Sequence, residues 1–411
     1  MSDLEYWIWF ASLRGLTYHT RRALLDRFVS AKGIYFAEKA ALQRIPDITP
    51  AEVETLLQRE TSDAAKTVRR CEELDVSIIT IQDAAYPERL RNISDPPYVL
   101  YVKGHLPPVD SLPVIGMVGT RKSSPYGDKM ARNIAYEIAS KGGIVTTGLA
   151  GGIDSRAAEG ALMAGGKVIG VLGTAINEVY PSWNTKLYAD VQTAGALISE
   201  YPPDAHGSRE WFPARNRIIA GLSVGVVIGE APVKSGALIT AHRALDYGRD
   251  VFAIPGNADA PVCRGSNNLL REGAILAENG WDVLKEYESR FPGSITPKGK
   301  DTVPEEQAIP EDNRKTEKAE EKPGKGFLKL RVPVKKKAEP AAPKLEEQLQ
   351  NLNETQLKIV GVMSKPDMHI DDIIDLSRQP ASSVLSELTL LQIKGFVTQS
   401  SGKRFTLNIK K

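Results

Sequence analysis

The middle of the chain alternates short apolar runs with longer segments in which apolar residues recur every three or four positions. Residues 113–118 form a continuous apolar run, which is typical of a strand buried on both faces. In the next segment Met130, Ile134 and Ile138 are spaced by four, as on one face of a helix. Similar apolar runs occur at 143–147, 167–172, 196–199, 223–228 and 250–254. This alternation predicts an α/β domain over residues 71–290, with a mostly parallel sheet and helices on both faces.

The segment before this region has a helical pattern. Residues 1–70 carry apolar residues at helical spacing, and Pro50 is placed at the start of one predicted helix. We interpret them as a small helical unit, similar to a sterile-alpha-motif or helix-hairpin-helix domain. Asp47 and Thr49 stand where a DNA-binding hairpin would carry glycine, so packing or oligomerisation is the favoured role.

The segments after it are of two kinds. Residues 291–345 are rich in charge and proline, a composition that buries too little apolar surface to fold and therefore predicts a flexible linker. Residues 346–411 predict three helices and a β-hairpin, which together make a winged-helix unit. Its third helix has no basic residue before the last position, whereas the wing carries Lys403 and Arg404. DNA-groove reading and a protein-contact role both remain open.

Composition restricts the classes of function. The chain has 411 residues and a net charge of only +2, so contact with nucleic acid must come from local clusters of charge. Its two cysteines, Cys71 and Cys263, lie far apart in sequence and suggest neither a disulfide framework nor a metal site. The five histidines form no pair at metal-ligand spacing. The N-terminus lacks a signal-peptide pattern and no apolar run is long enough to cross a bilayer, so we expect a cytoplasmic protein without membrane contact.

Two glycine-rich turns, at 118–127 and 147–154, each follow a predicted strand and open a predicted helix. Glycine lets backbone N–H groups approach an anion, and a helix start adds positive potential, so both turns predict phosphate contacts. The glycines of the second turn would serve close helix–strand packing equally well. The candidate ligands in the two turns are Gly119, Thr120, Arg121, Lys122, Ser123, Gly151 and Gly152.

A second basic constellation, at 209–217, interleaves cationic and aromatic side chains. This pattern suits a flexible single strand, because the cations hold phosphates while a ring stacks on a base. Trp211 and Phe212 are the ring candidates; alternatively, Phe212 is part of the core and Arg217 pairs with a buried acid. The candidate ligands here are Arg209, Phe212, Arg215, Asn216 and Arg217, with Lys186 and Lys234 outside the segment.

Two enzyme classes are open alternatives. A phosphoribohydrolase-like nucleotide hydrolase shares this kind of sheet, but residues 255–257 depart from its PGGxGTxxE run. A metal-dependent nuclease would hold Mg²⁺ on Asp154, Glu200 and Glu230, which lie near predicted strand ends. Otherwise Asp154 caps a helix and the two glutamates bond to neighbouring loops. Neither GxxxxGK[ST] nor GxGxxG is present, so we expect no nucleotide cofactor.

The ordered motifs of residues 85–285 resemble the DNA-processing protein A family, also called DprA or Smf. The matching blocks are VGTR at 118–121, SPYG at 124–127, GLAGGID at 148–154, VLGT at 171–174, SEYP at 199–202, FPARNRIIAGLS at 212–223, SGALITA at 235–241, IPG at 254–256 and EGA at 272–274. The flanking domains follow in the same order.

This resemblance implies a Rossmann-like domain in a non-catalytic protein that binds single-stranded DNA and loads RecA recombinase on it during natural transformation. It favours Phe212 over Trp211 as the ring and Arg209 as a ligand. It also implies a homodimer formed through the Rossmann-like domain. The dimer contact would use an apolar group that could equally belong to the core: Leu269, Leu270, Ile275 and Leu276.

Overall fold

A computed structural model describes residues 2–297, 352–363, 367–393, 396–400 and 404–407. The described residues belong to two compact units, one within residues 1–316 and one within 317–411. Among them, no helix is both long and apolar enough to span a membrane. Most of the predicted linker, and Lys394 and Lys403 of the predicted winged unit, lie outside the described residues.

The first unit begins with six helices, as the pattern of residues 1–70 predicts. They are α1 (Asp3–Ser12), α2 (Tyr18–Phe28), α3 (Ala31–Tyr35), α4 (Lys39–Leu42), α5 (Pro50–Leu57) and α6 (Ser62–Glu73). The starts of α2 and α5 meet at the carboxylate of Glu52. It accepts hydrogen bonds from the Thr17 amide at 3.1 Å, the Thr20 hydroxyl at 2.6 Å and the Thr49 amide at 2.9 Å. Asp47, before α5, adopts a left-handed φ of 57°.

A nine-stranded sheet follows, in the order β1-β2-β6-β5-β4-β3-β7-β8-β9. Strands β3 to β9 are parallel to one another, whereas the lead-in strand β2 is antiparallel to both of its neighbours, β1 and β6. The strands are β1 (Ser77–Thr80), β2 (Val99–Gly104), β3 (Val114–Val118), β4 (Ile144–Thr147), β5 (Val168–Val171), β6 (Ala196–Ser199), β7 (Gly225–Ile228), β8 (Asp250–Ala253) and β9 (Ile275–Leu276). The mostly parallel sheet predicted from the sequence is therefore confirmed.

Helices cover both faces of the sheet. They are α7 (Glu88–Arg91), α8 (Pro125–Ser140), α9 (Ile153–Met163), α10 (Thr185–Ala194), α11 (Trp211–Leu222), α12 (Gly236–Asp246), α13 (Arg264–Arg271) and α14 (Gly280–Leu284). The predicted start of α8 is confirmed, because the Ser124 side chain accepts a hydrogen bond from the Gly127 amide. The chain reverses its direction of winding between β3 and β7, and ligands of such sheets bind beyond the carboxyl ends of the strands at this point.

The N-terminal helices pack directly on the sheet. Phe10 of α1 contacts Tyr98, just before β2, with ring centroids 5.2 Å apart, and both belong to one buried apolar cluster. A polar junction adds to this contact at Asp204, in the loop after β6. Its carboxylate accepts hydrogen bonds from Arg70 Nε of α6 at 2.6 Å and from Asn177 Nδ2, in the loop after β5, at 2.7 Å. One exposed carboxylate therefore joins α6 to two loops of the sheet.

The second unit has the predicted winged-helix order. Its elements are α15 (Glu354–Val362), β10 (Met368–His369), α16 (Ile370–Ser377), α17 (Ala381–Ile393), β11 (Val397–Ser400) and β12 (Arg404–Leu407). The strands form one antiparallel sheet in the order β10-β12-β11. Ile359, Ile373 and Leu391, one from each helix, lie in its buried core.

Candidate nucleic-acid interface

The glycine turns and the basic segment come together at the carboxyl edge of the parallel strands. The first turn follows β3, the second follows β4, and the loops 172–184 and 200–210 follow β5 and β6. Because these strands are parallel neighbours, their loops form one continuous rim. Helix α11, which begins at Trp211 after the loop that follows β6, brings the basic segment to the same rim.

Arg121 lies over two aromatic rings at this rim. Its guanidinium carbon is 5.2 Å from the centroid of the Phe212 ring and 5.9 Å from that of Tyr180. The two rings are 5.1 Å apart and tilted by 53°. Arg121 is exposed, and Tyr180 is 42% exposed. The arrangement presents a cation and ring surface to solvent, and such cation–π contacts hold a guanidinium in place.

Trp183 extends this surface and was missed by reasoning from the sequence. It is 67% exposed, and a Cβ placed on Gly151 would lie 3.8 Å from Trp183 Cζ2 and 3.7 Å from the Arg121 carbonyl oxygen. Trp183 therefore lies next to the second glycine turn. The available signal was position, since Tyr180 and Trp183 occupy the loop after β5 and so share the rim with Arg121.

The other ring candidate, Trp211, has a different partner. It stacks on Tyr201 with centroids 3.6 Å apart and planes 7° from parallel. Of the two ring candidates, Phe212 is therefore the one that contacts Arg121, and its contact with DNA stays a prediction. Its position also depends on Gly173, where a Cβ would lie 2.8 Å from Phe212 Cδ1.

The backbone amides predicted to hold phosphate are engaged inside the protein. The Gly119 amide donates to Asp154 Oδ1 at 3.2 Å, and the Gly148 amide donates to Asp154 Oδ2 at 3.1 Å. The Thr120 amide donates to the carbonyl of Glu230 at 2.7 Å. Phosphate contact through the amides of Gly119 and Thr120 is therefore not the arrangement in this structure, because an internal carboxylate and a carbonyl are already bound there.

The hydroxyls of the first turn are also engaged. Ser123 donates to Asp128, and Ser124 donates to Glu230, whose carboxylate also accepts from the Ser124 amide at 2.7 Å. Lys122 and Arg121 are exposed. The charged side chains that the first turn presents to solvent are therefore these two cations.

Close packing explains the glycines at the two turns. Gly152 has a φ of 74°, and a Cβ there would overlap the Thr120 carbonyl oxygen. A Cβ on Gly148 would overlap the guanidinium of Arg215. Gly152 therefore serves helix–strand packing, which was one of the two roles considered for it, whereas Gly151 has room for a side chain.

Arg215 was predicted to contact DNA but is only 5% exposed. It donates to the Val171 carbonyl. Burial lowers the pKa of Arg215, while the nearby Asp154 raises it. Burial also raises the pKa of Asp154. The charge of Arg215 and the hydrogen bonds that Asp154 accepts from three backbone amides lower this pKa, but burial outweighs them. We therefore assign Arg215 to the support of the second turn, beneath the surface that carries Arg121.

Arg217 lies in an internal ion-pair network. Its Nη2 is 2.6 Å from Glu200 Oε1, and its Nε is 3.4 Å from Asp95 Oδ2, with the side chain 12% exposed. Burial lowers the pKa of Arg217, but Glu200 and Asp95 outweigh it and raise the pKa overall. Arg217 therefore pairs with acidic side chains, which is the alternative considered from the sequence. We no longer include Arg217 in the candidate surface.

The three acids proposed for Mg²⁺ are separated and individually bonded. Asp154 accepts from the glycine turns, Glu200 pairs with Arg217, and Glu230 accepts from Ser124. Throughout the described ranges, no three histidine, cysteine or acidic side chains form a group that could hold a metal ion. Glu230 thus has the loop-bonding role considered as the alternative, whereas the predicted helix cap at Asp154 is wrong, because the N-cap of α9 is Gly152 and Asp154 bonds the glycine turns instead. Glu200 pairs with a residue of α11 rather than with a loop.

The remaining candidates differ in exposure. Lys186, Arg209 and Lys234 are exposed, and Asn216 is half-buried, with its Nδ2 donating to the Gly236 carbonyl at 3.2 Å. Contact between these residues and DNA stays a prediction.

The apolar group proposed for the dimer contact divides in two. Leu269 is 5% exposed and Leu270 packs on the same buried cluster. Ile275 and Leu276 form β9, the last strand of the sheet, and are 37% and 46% exposed. The first pair belongs to the core, and the second pair is accessible at an edge strand.

Comparisons with known proteins agree with this architecture. Residues 77–288 match the family model described as DNA recombination-mediator protein A, and residues 337–403 match that of the DprA winged helix domain. Protein Smf of Synechocystis is 31% identical over 98% of both chains. DNA processing protein DprA of Bacillus subtilis is 38% identical over 53% of this chain and 73% of its own length.

A solved structure gives the same result. The crystal structure of DNA processing protein A from Streptococcus pneumoniae superimposes with a TM-score of 0.61 at 33% identity, covering 70% of this chain and 98% of that one. With the family match over the sheet, the match over the winged unit and a full-length relative, the chain belongs to the DprA/Smf family of DNA recombination-mediator proteins.

Proposed function

We propose that this protein binds single-stranded DNA along the carboxyl edge of its sheet and acts as a recombination mediator. The observation that carries the proposal is the exposed Arg121 guanidinium over the rings of Phe212 and Tyr180, at 5.2 and 5.9 Å. Cation and rings share one rim with exposed Trp183. Family membership supports the recombination role.

The surface suits a single strand better than a duplex. The planar fork of Arg121 matches a phosphate, and a ring face accepts an unstacked base of any sequence. In a duplex the base faces are stacked on one another and cannot reach these rings. We therefore expect tight but sequence-independent binding of single strands.

Further cations would extend the contact along the backbone. Lys122, Lys186, Arg209 and Lys234 are exposed, whereas the net charge of the whole chain is only +2. Binding through these side chains is salt-dependent, because each phosphate contact releases counterions.

We also infer a homodimer that places two such rims on one strand. Strand β9 pairs with β8 on one side only, and its Ile275 and Leu276 are 37% and 46% exposed. An apolar edge strand of this kind is normally covered, and a two-fold contact between copies would cover both edges. The dimer would then help to load RecA on the bound strand, as in natural transformation.

The ring arrangement is tested with Phe212→Leu, which keeps an apolar side chain but removes the π face. The matched control, Phe212→Tyr, keeps the ring. Loss of one base stack costs about 1–3 kcal/mol, so the leucine variant should bind a dT20 oligonucleotide about 5- to 150-fold more weakly by fluorescence anisotropy. Equal binding by both variants would contradict the stacking role, and equal affinity of the wild type for duplex DNA would contradict the proposed preference.

Mediation and catalysis are tested separately. A labelled single strand incubated with the protein and Mg²⁺ should stay intact; fragments would favour the nuclease alternative. RecA assembly on a strand already coated with a single-strand-binding protein should be faster with the wild type than with Phe212→Leu. An equal rate with and without the protein would refute the loading role.

A further inference from the structure

Two internal carboxylates lie where α/β proteins that bind nucleotides place phosphate. In such folds a phosphate lies on the amides of the turn between a strand and the following helix. Here both glycine turns have that position, after β3 and after β4. Glu230 lies at the first turn and Asp154 at the second.

Glu230 is fitted to the start of α8 in two independent ways. Its carboxylate accepts hydrogen bonds from both the amide and the hydroxyl of Ser124, the N-cap residue, and its carbonyl accepts from the Thr120 amide. A Cβ placed on Gly127 would lie 2.5 Å from Glu230 Cδ and Oε2. The first turn of α8 therefore lacks a side chain where the carboxylate enters.

Asp154 has the equivalent place in the second turn. Its two oxygens accept from the amides of Gly119 and Gly148, and the residue is only 4% exposed. Gly119 belongs to the first turn and Gly148 to the second, so this carboxylate bonds the ends of β3 and β4 together. The anion that accepts from these strand-end amides is therefore a side chain of the chain itself, and the positive charge of the buried Arg215 opposes the rise that burial causes in its pKa.

We propose that Glu230 and Asp154 determine specificity for a nucleic-acid strand over mononucleotides. They fill both phosphate positions, and their negative charge repels a second anion there. A mononucleotide, which depends on one concentrated phosphate site, is excluded. A polymer binds instead through many dispersed contacts with the exposed side chains of the rim. The preference for the polymer rests on the proposed function, whereas the exclusion of mononucleotides does not.

Glu230 provides the sharper test, because Asp154 also bonds the ends of two strands together and replacing it would disturb both turns. Glu230→Ala removes both the charge and the volume, so the start of α8 becomes free to bind an anion. Glu230→Gln is the matched control, since it loses the charge but keeps the volume. Glu230→Ser, whose hydroxyl can still meet Ser124, is a second opened variant in case the alanine variant does not fold.

The probes are inorganic phosphate and AMP, with chloride at equal ionic strength as the reference. Ligand that binds only the folded state raises the melting temperature, and we expect a rise of about 2–4 °C in the opened variants at about tenfold excess over the dissociation constant. The glutamine variant and the wild type should not show this gain. The difference between variants is the readout, because phosphate also stabilises proteins by exclusion from their surface.

Two results would overturn the proposal. One is that wild type binds AMP in a calorimetric titration as tightly as the opened variants. The other is that the opened variants fold, by circular dichroism, yet gain no more from phosphate than Glu230→Gln does. Binding of dT20 to the wild type is measured in the same buffer. Its failure would refute the proposed function alone, since the phosphate comparison does not involve DNA.

Discussion

Replacing Arg121 by alanine should weaken binding of single-stranded DNA and make the remaining binding less sensitive to salt. Arg121 is exposed, is held over Phe212 at 5.2 Å and is expected to make one phosphate contact. A hydrogen bond to a charged group contributes about 1.5–3 kcal/mol, so the affinity at low salt should fall about 10- to 150-fold.

The salt dependence gives a second, independent number. On single strands each phosphate contact adds about 0.7 to the slope of log affinity against log salt. The wild type makes one phosphate contact more than Arg121→Ala, so its affinity falls more steeply with salt. Between about 50 and 200 mM salt, the ratio of the wild-type affinity to the variant affinity should therefore decrease about 2.6-fold. Fluorescence anisotropy with dT20 at four salt concentrations measures both quantities.

Two variants serve as controls. Lys167→Ala removes an exposed cation just before β5, at the opposite edge of the parallel sheet from Arg121. It should leave the plot of log affinity against log salt concentration unchanged. Arg121→Lys keeps the charge without the planar fork, so it should keep the slope at reduced affinity. A parallel but lower line for Arg121→Ala would refute the phosphate contact and assign Arg121 to positioning of the rings.

Three further predictions concern stability and assembly. Gly148→Ala should lower the melting temperature by several degrees in calorimetry, because the new methyl group overlaps the buried guanidinium of Arg215; an unchanged transition would contradict this packing. Burial raises the pKa of Glu52, but hydrogen bonds from three threonines outweigh it and lower the pKa from 4.5 to about 2. The ionised Glu52 carboxylate therefore contributes up to about 3 kcal/mol to the free energy of unfolding above pH about 5, and this contribution is lost as the pH falls towards 2. Urea titrations should show that loss in the wild type but not in Glu52→Gln. The same dependence on pH in both proteins would exclude Glu52 as its source. Leu276→Glu should shift the sedimentation of a dimer to that of a monomer, whereas an unchanged sedimentation coefficient would place the contact elsewhere.

Periodicity was sufficient to predict the α/β fold. The apolar run at 113–118 became β3, and the spacing of Met130, Ile134 and Ile138 marked the buried side of α8. The Ser124 cap was also readable, since serine before proline is a local signal. These features are determined by residues that are close in sequence, so they can be predicted without knowledge of the tertiary structure.

The site was only partly predictable, because its partners are distant in sequence. The bond from Gly119 to Asp154 spans 35 residues, and that from Ser124 to Glu230 spans 106. Both depend on β3 lying between β4 and β7, an order that local patterns do not specify. Glycine therefore indicated a phosphate cradle where the fold uses it for internal carboxylates.

The burial of Arg215 could have been predicted from its helical spacing, although the basic composition of its segment pointed to an exposed position. Arg215 precedes Ile218, Ile219 and Leu222 by three, four and seven positions, and these three side chains are fully buried. Helical spacing therefore places Arg215 on the inner face of α11. Its basic neighbours suggested a surface cluster, whereas the phase of the helix indicated burial.

The junction at Asp204 affects how shortened forms of the protein should behave. Because this carboxylate bonds Arg70 of α6 and Asn177 beyond β5, removing the N-terminal helices would untether the loops beyond β5 and β6 together. Those loops carry Tyr180, Trp183 and Arg209. A truncated protein that lacks the first 70 residues would therefore differ in more than the missing helices. If it binds DNA more weakly, the displaced loops after β5 and β6 would contribute to that loss as well as the missing domain.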